Sequence, residues 1–144
     1  MIPSEITNYC EIIAIYNKDI AKKVAEKRRE MYEKRLQYGL SANLNPEDII
    51  VPVVTLNFFD GSKLDILDPV PWLHCYKKTK NGYRKFIEES IPEALELYYD
   101  KGMLCTQSYT RAGVSRTKFF EQRRKFVWLF SLYALQDHLI TLEE

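Results

Sequence analysis

Between Thr106 and Lys125 the chain carries six Lys/Arg against a single acid, Glu121, and their placement suggests a chemistry. Arg116, Thr117 and Lys118 follow directly on Ser115, a residue type whose hydroxyl caps helix N-termini, and Arg123 and Arg124 come two turns later. On a helix starting there, the early side chains form a donor-rich surface that suits base edges, and the later guanidinium groups suit phosphates. The expected contacts to double-stranded DNA are therefore Ser115, Arg116, Thr117, Lys118, Arg123 and Arg124.

Such a surface needs a helix-turn-helix to hold it, and the spacing around it supplies the parts. Thr106 to Ala112 reads as a short helix, Gly113 allows the positive φ of a tight turn, and Val114 plugs the angle between the helices. Phe119 falls one turn inside the next helix, facing back. Two positions depart from the commonest pattern: Tyr109 stands where a small residue usually lets the helices cross, and Gln122 where an apolar one is usual. The alternative is a plain αα-corner whose cationic face is solvated.

The run Gly113-Val-Ser-Arg-Thr-Lys-Phe-Phe-Glu-Gln-Arg-Arg-Lys-Phe126, followed by an apolar helix, resembles the C-terminal end of phage regulators of the ArpU type, which are sigma-region-4-like proteins. The match spans about residues 106–135. The resemblance implies a short chain with its DNA-reading module last and a role in transcription of phage or prophage genes.

The elements that must position this module read as α+β: a long N-terminal helix, a central β-hairpin and the C-terminal helix-turn-helix. From Ile6 to Tyr38 apolar residues recur at helical spacing without Gly or Pro, as one long helix or two abutting ones, with Gly39 as C-cap and Ser41 to Pro46 as a loop. Ile49 to Leu67 is β-branched and alternating around Asp60-Gly61, a hairpin signal, with Pro52 expected at an edge or bulge. Asp68 to Pro71 ends the hairpin, and Trp72 to Phe86, with its Asn81-Gly82 pair, holds a third short element of either class. Ser90 is expected to cap a helix ending at Gly102, and the helix from Ser115 to run to about Leu139. Residues 1–75, the N-terminal helix and hairpin, and residues 76–144, the helical region, are expected to form one compact unit.

The composition, 46% hydrophobic over 144 residues, excludes a disordered chain. The net charge of +1 supplies no global field toward a polyanion, so any attraction must be local. Asn17 to Gln37 holds eight Lys/Arg against four acids, whereas Ser41 to Cys75 holds one Lys against five. Three scattered cysteines do not make a disulfide framework, and with no signal sequence or span of about 20 apolar residues the chain is expected to be cytoplasmic and away from membranes. No CxxC or HxxxH pair seeds a metal site among Cys10, His74, Cys75, Cys105 and His138, and a strand would point His74 and Cys75 to opposite faces. Asp60, Asp65 and Asp68 suit turns better than a cation loop, and the five isolated glycines form no phosphate loop. No cofactor, metal or catalytic residue is expected.

The helix over 126–139 is apolar on two faces, Phe126, Val127, Phe130, Tyr133 and Ala134 on one and Trp128, Leu132, Leu135 and Leu139 on the other. The second face buries either within the chain or against another copy as a homodimer, which would pair half-sites. The competing functional reading is a small protein-binding module or inhibitor that reuses a helix-turn-helix shape to grip a host protein, favoured by the near-neutral charge.

Overall fold

The structure is a computed structural model that describes residues 4–39, 45–85 and 90–140. In chain order it holds α1 (Ser4–Ile15), α2 (Asn17–Gln37), a 3-10 turn (Pro46–Asp48), β1 (Val53–Asn57), β2 (Lys63–Leu67), α3 (Pro69–Arg84), α4 (Ser90–Tyr99), α5 (Cys105–Ala112) and α6 (Arg116–Gln136). The fold is α+β, six α-helices and one antiparallel hairpin among the described residues. The chain divides into two compact units, residues 1–17 with 72–144, and residues 18–71. α1 groups with the C-terminal helices, and residues 18–71 hold most of α2 and the hairpin.

The smaller unit, residues 18–71, joins most of α2 to the hairpin. Lys27 Nζ donates to the Val53 carbonyl at 2.6 Å and Arg28 Nε to that of Ile49 at 3.1 Å. Val54 and Leu56 on β1 and Ile66 on β2 are buried on one face, as the period of two dictates. The register pairs Val53 with Leu67 and Asn57 with Lys63, and Gly61 takes φ 87° in the connection, where Asp60 Oδ1 accepts from the Ser62 amide at 2.9 Å. Asp65 is held by Thr55 Oγ1 across the ladder at 2.6 Å. The first strand is shorter than its apolar run, because Pro52 has no amide to donate; it stands just before β1 and accepts from Asp68 N at 2.9 Å. Of the expected loop Ser41 to Pro46, residues 41–44 lie outside the described residues, and Asn45 caps the 3-10 turn through Glu47 N.

In the larger unit the two abutting helices of the N-terminus part at Asn17. Its Nδ2 donates to the Ala14 carbonyl at 2.8 Å and also reaches the Tyr99 carbonyl at 3.1 Å and Asp100 Oδ1 at 3.2 Å. The side chain thus takes up backbone acceptors that end α1 and α4, the competition with helix that Asn is suited to. The third element is a 16-residue helix, α3. Pro69 opens it, where a missing amide costs nothing, and it runs through Asn81-Gly82 because Trp72, Cys75, Tyr76, Thr79 and Tyr83 bury one continuous stripe. His74 is exposed and Cys75 buried, so the two diverge on a helix and not on a strand. A Cβ on Gly82 would stand 2.8 Å from Tyr133 Oη, so the glycine lets the α6 ring lie against α3. Ser90 is the first residue of α4 and not its cap, a position that falls outside the described residues.

The core of this unit is aromatic. Tyr99 stacks on Phe126 with centroids 5.4 Å apart, Tyr76 meets Phe126 edge-on at 6.0 Å, and Trp72 meets Phe130 at 5.9 Å. Asp100 sits at its margin, taking bonds from Tyr76 Oη at 2.9 Å, from Asn17 and from the Lys80 ammonium. α6 ends at Gln136, three residues short of Leu139, and His138 follows with φ 60°.

Candidate nucleic-acid interface

Three helices of the larger unit build the surface. α4 ends at Tyr99, short of the expected Gly102, whose φ of 68° turns the chain three residues later, where Met103 N returns to the Leu97 carbonyl at 3.1 Å. α5 then runs to Gly113, which takes φ 73° and ψ 29°, and Val114 N donates to the Tyr109 carbonyl at 2.8 Å. Any residue with a Cβ would be strained there. Val114 is buried in the corner, and Ser115 opens α6, its Oγ accepting from Lys118 N at 3.2 Å. Phe119 is fully buried, edge-on to Tyr98 at 6.0 Å and tilted against Tyr109 at 5.7 Å.

The two departures from the usual pattern are absorbed locally. The fully buried small residue on α5 is Ser108, one position before Tyr109, and its Oγ is satisfied by the Leu104 carbonyl at 2.9 Å. Tyr109 instead lays its ring on Phe119. Gln122 is buried as an apolar residue would be, and its Oε1 accepts from Tyr83 Oη at 2.8 Å, so the buried amide oxygen is satisfied.

The structure places Ser115, Arg116, Thr117, Lys118 and Arg124 on the exposed side of α6. Arg116 lies over the Phe120 ring, 5.8 Å from its centroid. Arg123 is the correction. Its Nε donates to Glu11 Oε1 at 2.8 Å and its guanidinium covers the Tyr98 ring at 4.7 Å, so it fastens α1 to α6 and is not presented outward. Burial opposes its charge, and the adjacent Glu11 carboxylate outweighs that and holds it protonated. Lys125 pairs with Glu121 at 3.2 Å one turn back. Among the described residues no carboxylate lies within ion-pairing distance of Arg111, Arg116 or Arg124, and the positive end of α6 adds to the field of Arg116 in its first turn.

Sequence reasoning missed a cleft of about 750 Å³ beside this surface. Its walls are Thr7, Asn8 and Glu11 on α1 and Phe120, Arg124 and Trp128 on α6. The signal was present in part: Phe120, Arg124 and Trp128 recur every fourth residue, which puts ring, cation and ring on one helical face. It also missed the run Trp72 to Lys85, five Lys/Arg without an acid, of which Lys78, Lys80 and Arg84 pair with Asp137, Asp100 and Glu96.

The remaining candidates do not gather into a second site. No group of three or more His, Cys, Asp or Glu converges among the described residues. Burial pushes the Cys10 thiol up to about 11 and the Cys75 thiol up to about 12, so neither offers a thiolate. No described helix is long and apolar enough to cross a membrane. On the second face of α6 Trp128 is 53% exposed, while Leu132, Leu135 and Leu139 are half-buried. Comparison of the chain with family models, with curated proteins and with solved structures finds no match.

Proposed function

We propose that this chain is a sequence-specific reader of double-stranded DNA that acts through the first turn of α6, and that it regulates transcription of phage or prophage genes, as the resemblance over residues 106–135 implies. The observation that carries the reading is the Ser115-capped start of α6, held off α5 by left-handed Gly113, with Arg116, Thr117 and Lys118 exposed on it. A helix start of this kind brings Arg116 to a guanine edge, whose O6 and N7 accept the two parallel bonds of a guanidinium. Arg124, about 12 Å further along the axis, meets a phosphate and contributes affinity without reading sequence. Arg123 takes no part, since Glu11 already neutralises it.

The experiment is selection of sites from random duplex, followed by titration against salt. Enrichment of a defined site is expected, with log K falling linearly in log salt at about 0.9 per phosphate contacted. The net charge of +1 favours the protein-gripping module instead, and failure to enrich any sequence at low salt transfers the reading to it.

A further inference from the structure

We infer that the cleft between α1 and α6 takes an unpaired base of a single-stranded nucleic acid, stacked on Trp128, with the neighbouring phosphates on Arg124 and Lys125. The inference shares Arg124 with the duplex reading and rests on that reading only for the sign of the ligand's charge. Its own support is the exposed ring of Trp128 with Arg124 beside it. Trp128 is 53% exposed on a helix whose other large aromatics are wholly or half buried, and Phe120 stands two turns before it on the same face. Arg124 lies one turn from each, with no carboxylate in ion-pairing distance among the described residues. An exposed ring with an unneutralised cation one turn before it forms the composition that holds single strands: the flat face stacks a base and the cation follows the backbone.

The acids of the cleft do not spoil this charge balance. Glu11 is bound by Arg123 and by Tyr99 Oη at 2.9 Å, and Glu121 by Lys125. That last pair is exposed on both sides, 60% and 50%, so Lys125 exchanges its partner for a phosphate at little cost. The exposed carboxamide of Asn8, on the opposite wall, has the donor and acceptor that a base edge needs. The volume of about 750 Å³ falls within the range of ligand clefts, roughly 300–1,000 Å³. Within a duplex the base faces are covered by their neighbours in the stack, so ring-on-ring contact with Trp128 requires an unpaired base.

The chain has two tryptophans, and Trp72 is only 4% exposed, so quenching of the solvent-exposed emission reports on Trp128. The test titrates the full chain with a short oligothymidylate, with its abasic counterpart and with a duplex of equal length, reading tryptophan emission and, on labelled strands, anisotropy. Oligothymidylate is expected to quench Trp128, and Trp128→Ala to weaken it roughly 5- to 150-fold, the worth of one stacked base. Trp128→Phe, which keeps a ring, is expected to retain most of the affinity, and the abasic strand to bind the parent as weakly as oligothymidylate binds Trp128→Ala. Equal binding of the abasic and normal strands, or no effect of Trp128→Ala, overturns the inference. Duplex binding without single-strand binding overturns it and leaves the duplex reading intact; single-strand binding without duplex binding does the reverse. Binding of neither overturns both.

Discussion

Arg123 Nη2 lies 2.7 Å from Glu11 Oε1, and Arg123 Nε lies 2.8 Å from the same oxygen. Tyr99 Oη donates to the other carboxylate oxygen at 2.9 Å, so one acid of α1 receives bonds from both α4 and α6. The contact changes what the basic run can do, because one of its six cations is spent on holding the first helix to the last.

Glu11→Ala should destabilise the fold by about 1–3 kcal/mol. A fully buried pair broken from one side costs ~3–5 kcal/mol, and here the two side chains keep 23% and 19% of their exposure, so water softens the loss. Arg123→Met removes the charge that Glu11→Ala leaves stranded, so the double variant should lose less than the sum of the two. Urea denaturation of all four proteins measures this; strict additivity would show that the pair contributes nothing.

What was legible in the sequence divides by the range of the interactions. Gly113, Ser115 and Phe119 are set by contacts within about 20 residues, and the turn, the cap and the buried ring stand where their spacing puts them. The same holds for the hairpin around Asp60-Gly61. α3 was obscured because Pro69 and Pro71 read as the end of the hairpin and the Asn81-Gly82 pair left the class of the next element open. Burial of Tyr76 against Phe126 and Phe130, some 50 residues on, overrides both signals. Arg123 was misplaced for the same reason, since its partner lies 112 positions away. The cleft could not be read either, because Thr7 and Asn8 form the wall opposite the recurring Phe120, Arg124 and Trp128.

Phe119→Ala should cost about 3–5 kcal/mol, the usual loss for a buried aromatic truncated to a methyl, because the ring is fully buried against Tyr98 and Tyr109. Tyr83→Phe should cost less, about 1–3 kcal/mol, by leaving Gln122 Oε1 without its donor. Thermal melts give the order; a Phe119→Ala protein melting with the parent would place that ring outside the core.

Stability should fall toward both ends of the pH scale, for different groups. Burial works to raise the Asp100 pKa, but bonds from Lys80, Tyr76 and Asn17 outweigh it and hold the carboxyl below its ordinary value. A depressed acid stabilises the fold above its unfolded pKa, so this contribution is complete above about pH 4 and is lost as pH falls through the folded value. The thiols of Cys10 and Cys75 are displaced upward, to about 11 and about 12, by burial first. Their contribution is complete below the unfolded thiol pKa of about 8.5 and is lost as pH rises toward 12. Urea midpoints from pH 3 to 11 should therefore form a plateau between about 5 and 8, and Asp100→Asn should flatten its acid side. A midpoint that keeps rising above pH 9 would contradict the buried thiols.

Arg116 and Arg124 should fail in different ways if α6 reads duplex DNA. Arg116 is in the first turn, its guanidinium resting over Phe120 at 5.8 Å, and both are near the capped end that would enter a major groove. Replacing it by Ala should remove about 1–3 kcal/mol of discrimination at one base pair of a selected site, with little loss on unrelated sequences. Arg124→Ala should instead weaken all sequences alike and lower the salt slope by about one contact. Arg123→Ala separates the two kinds of loss, since its cation faces Glu11: the salt slope should stay while the melting temperature drops. The measurement is titration of the three variants on the selected site and on a scrambled one at several salt concentrations. Equal losses for Arg116→Ala and Arg124→Ala on both duplexes would mean that α6 meets the backbone alone, and the reading of base edges would have to be abandoned.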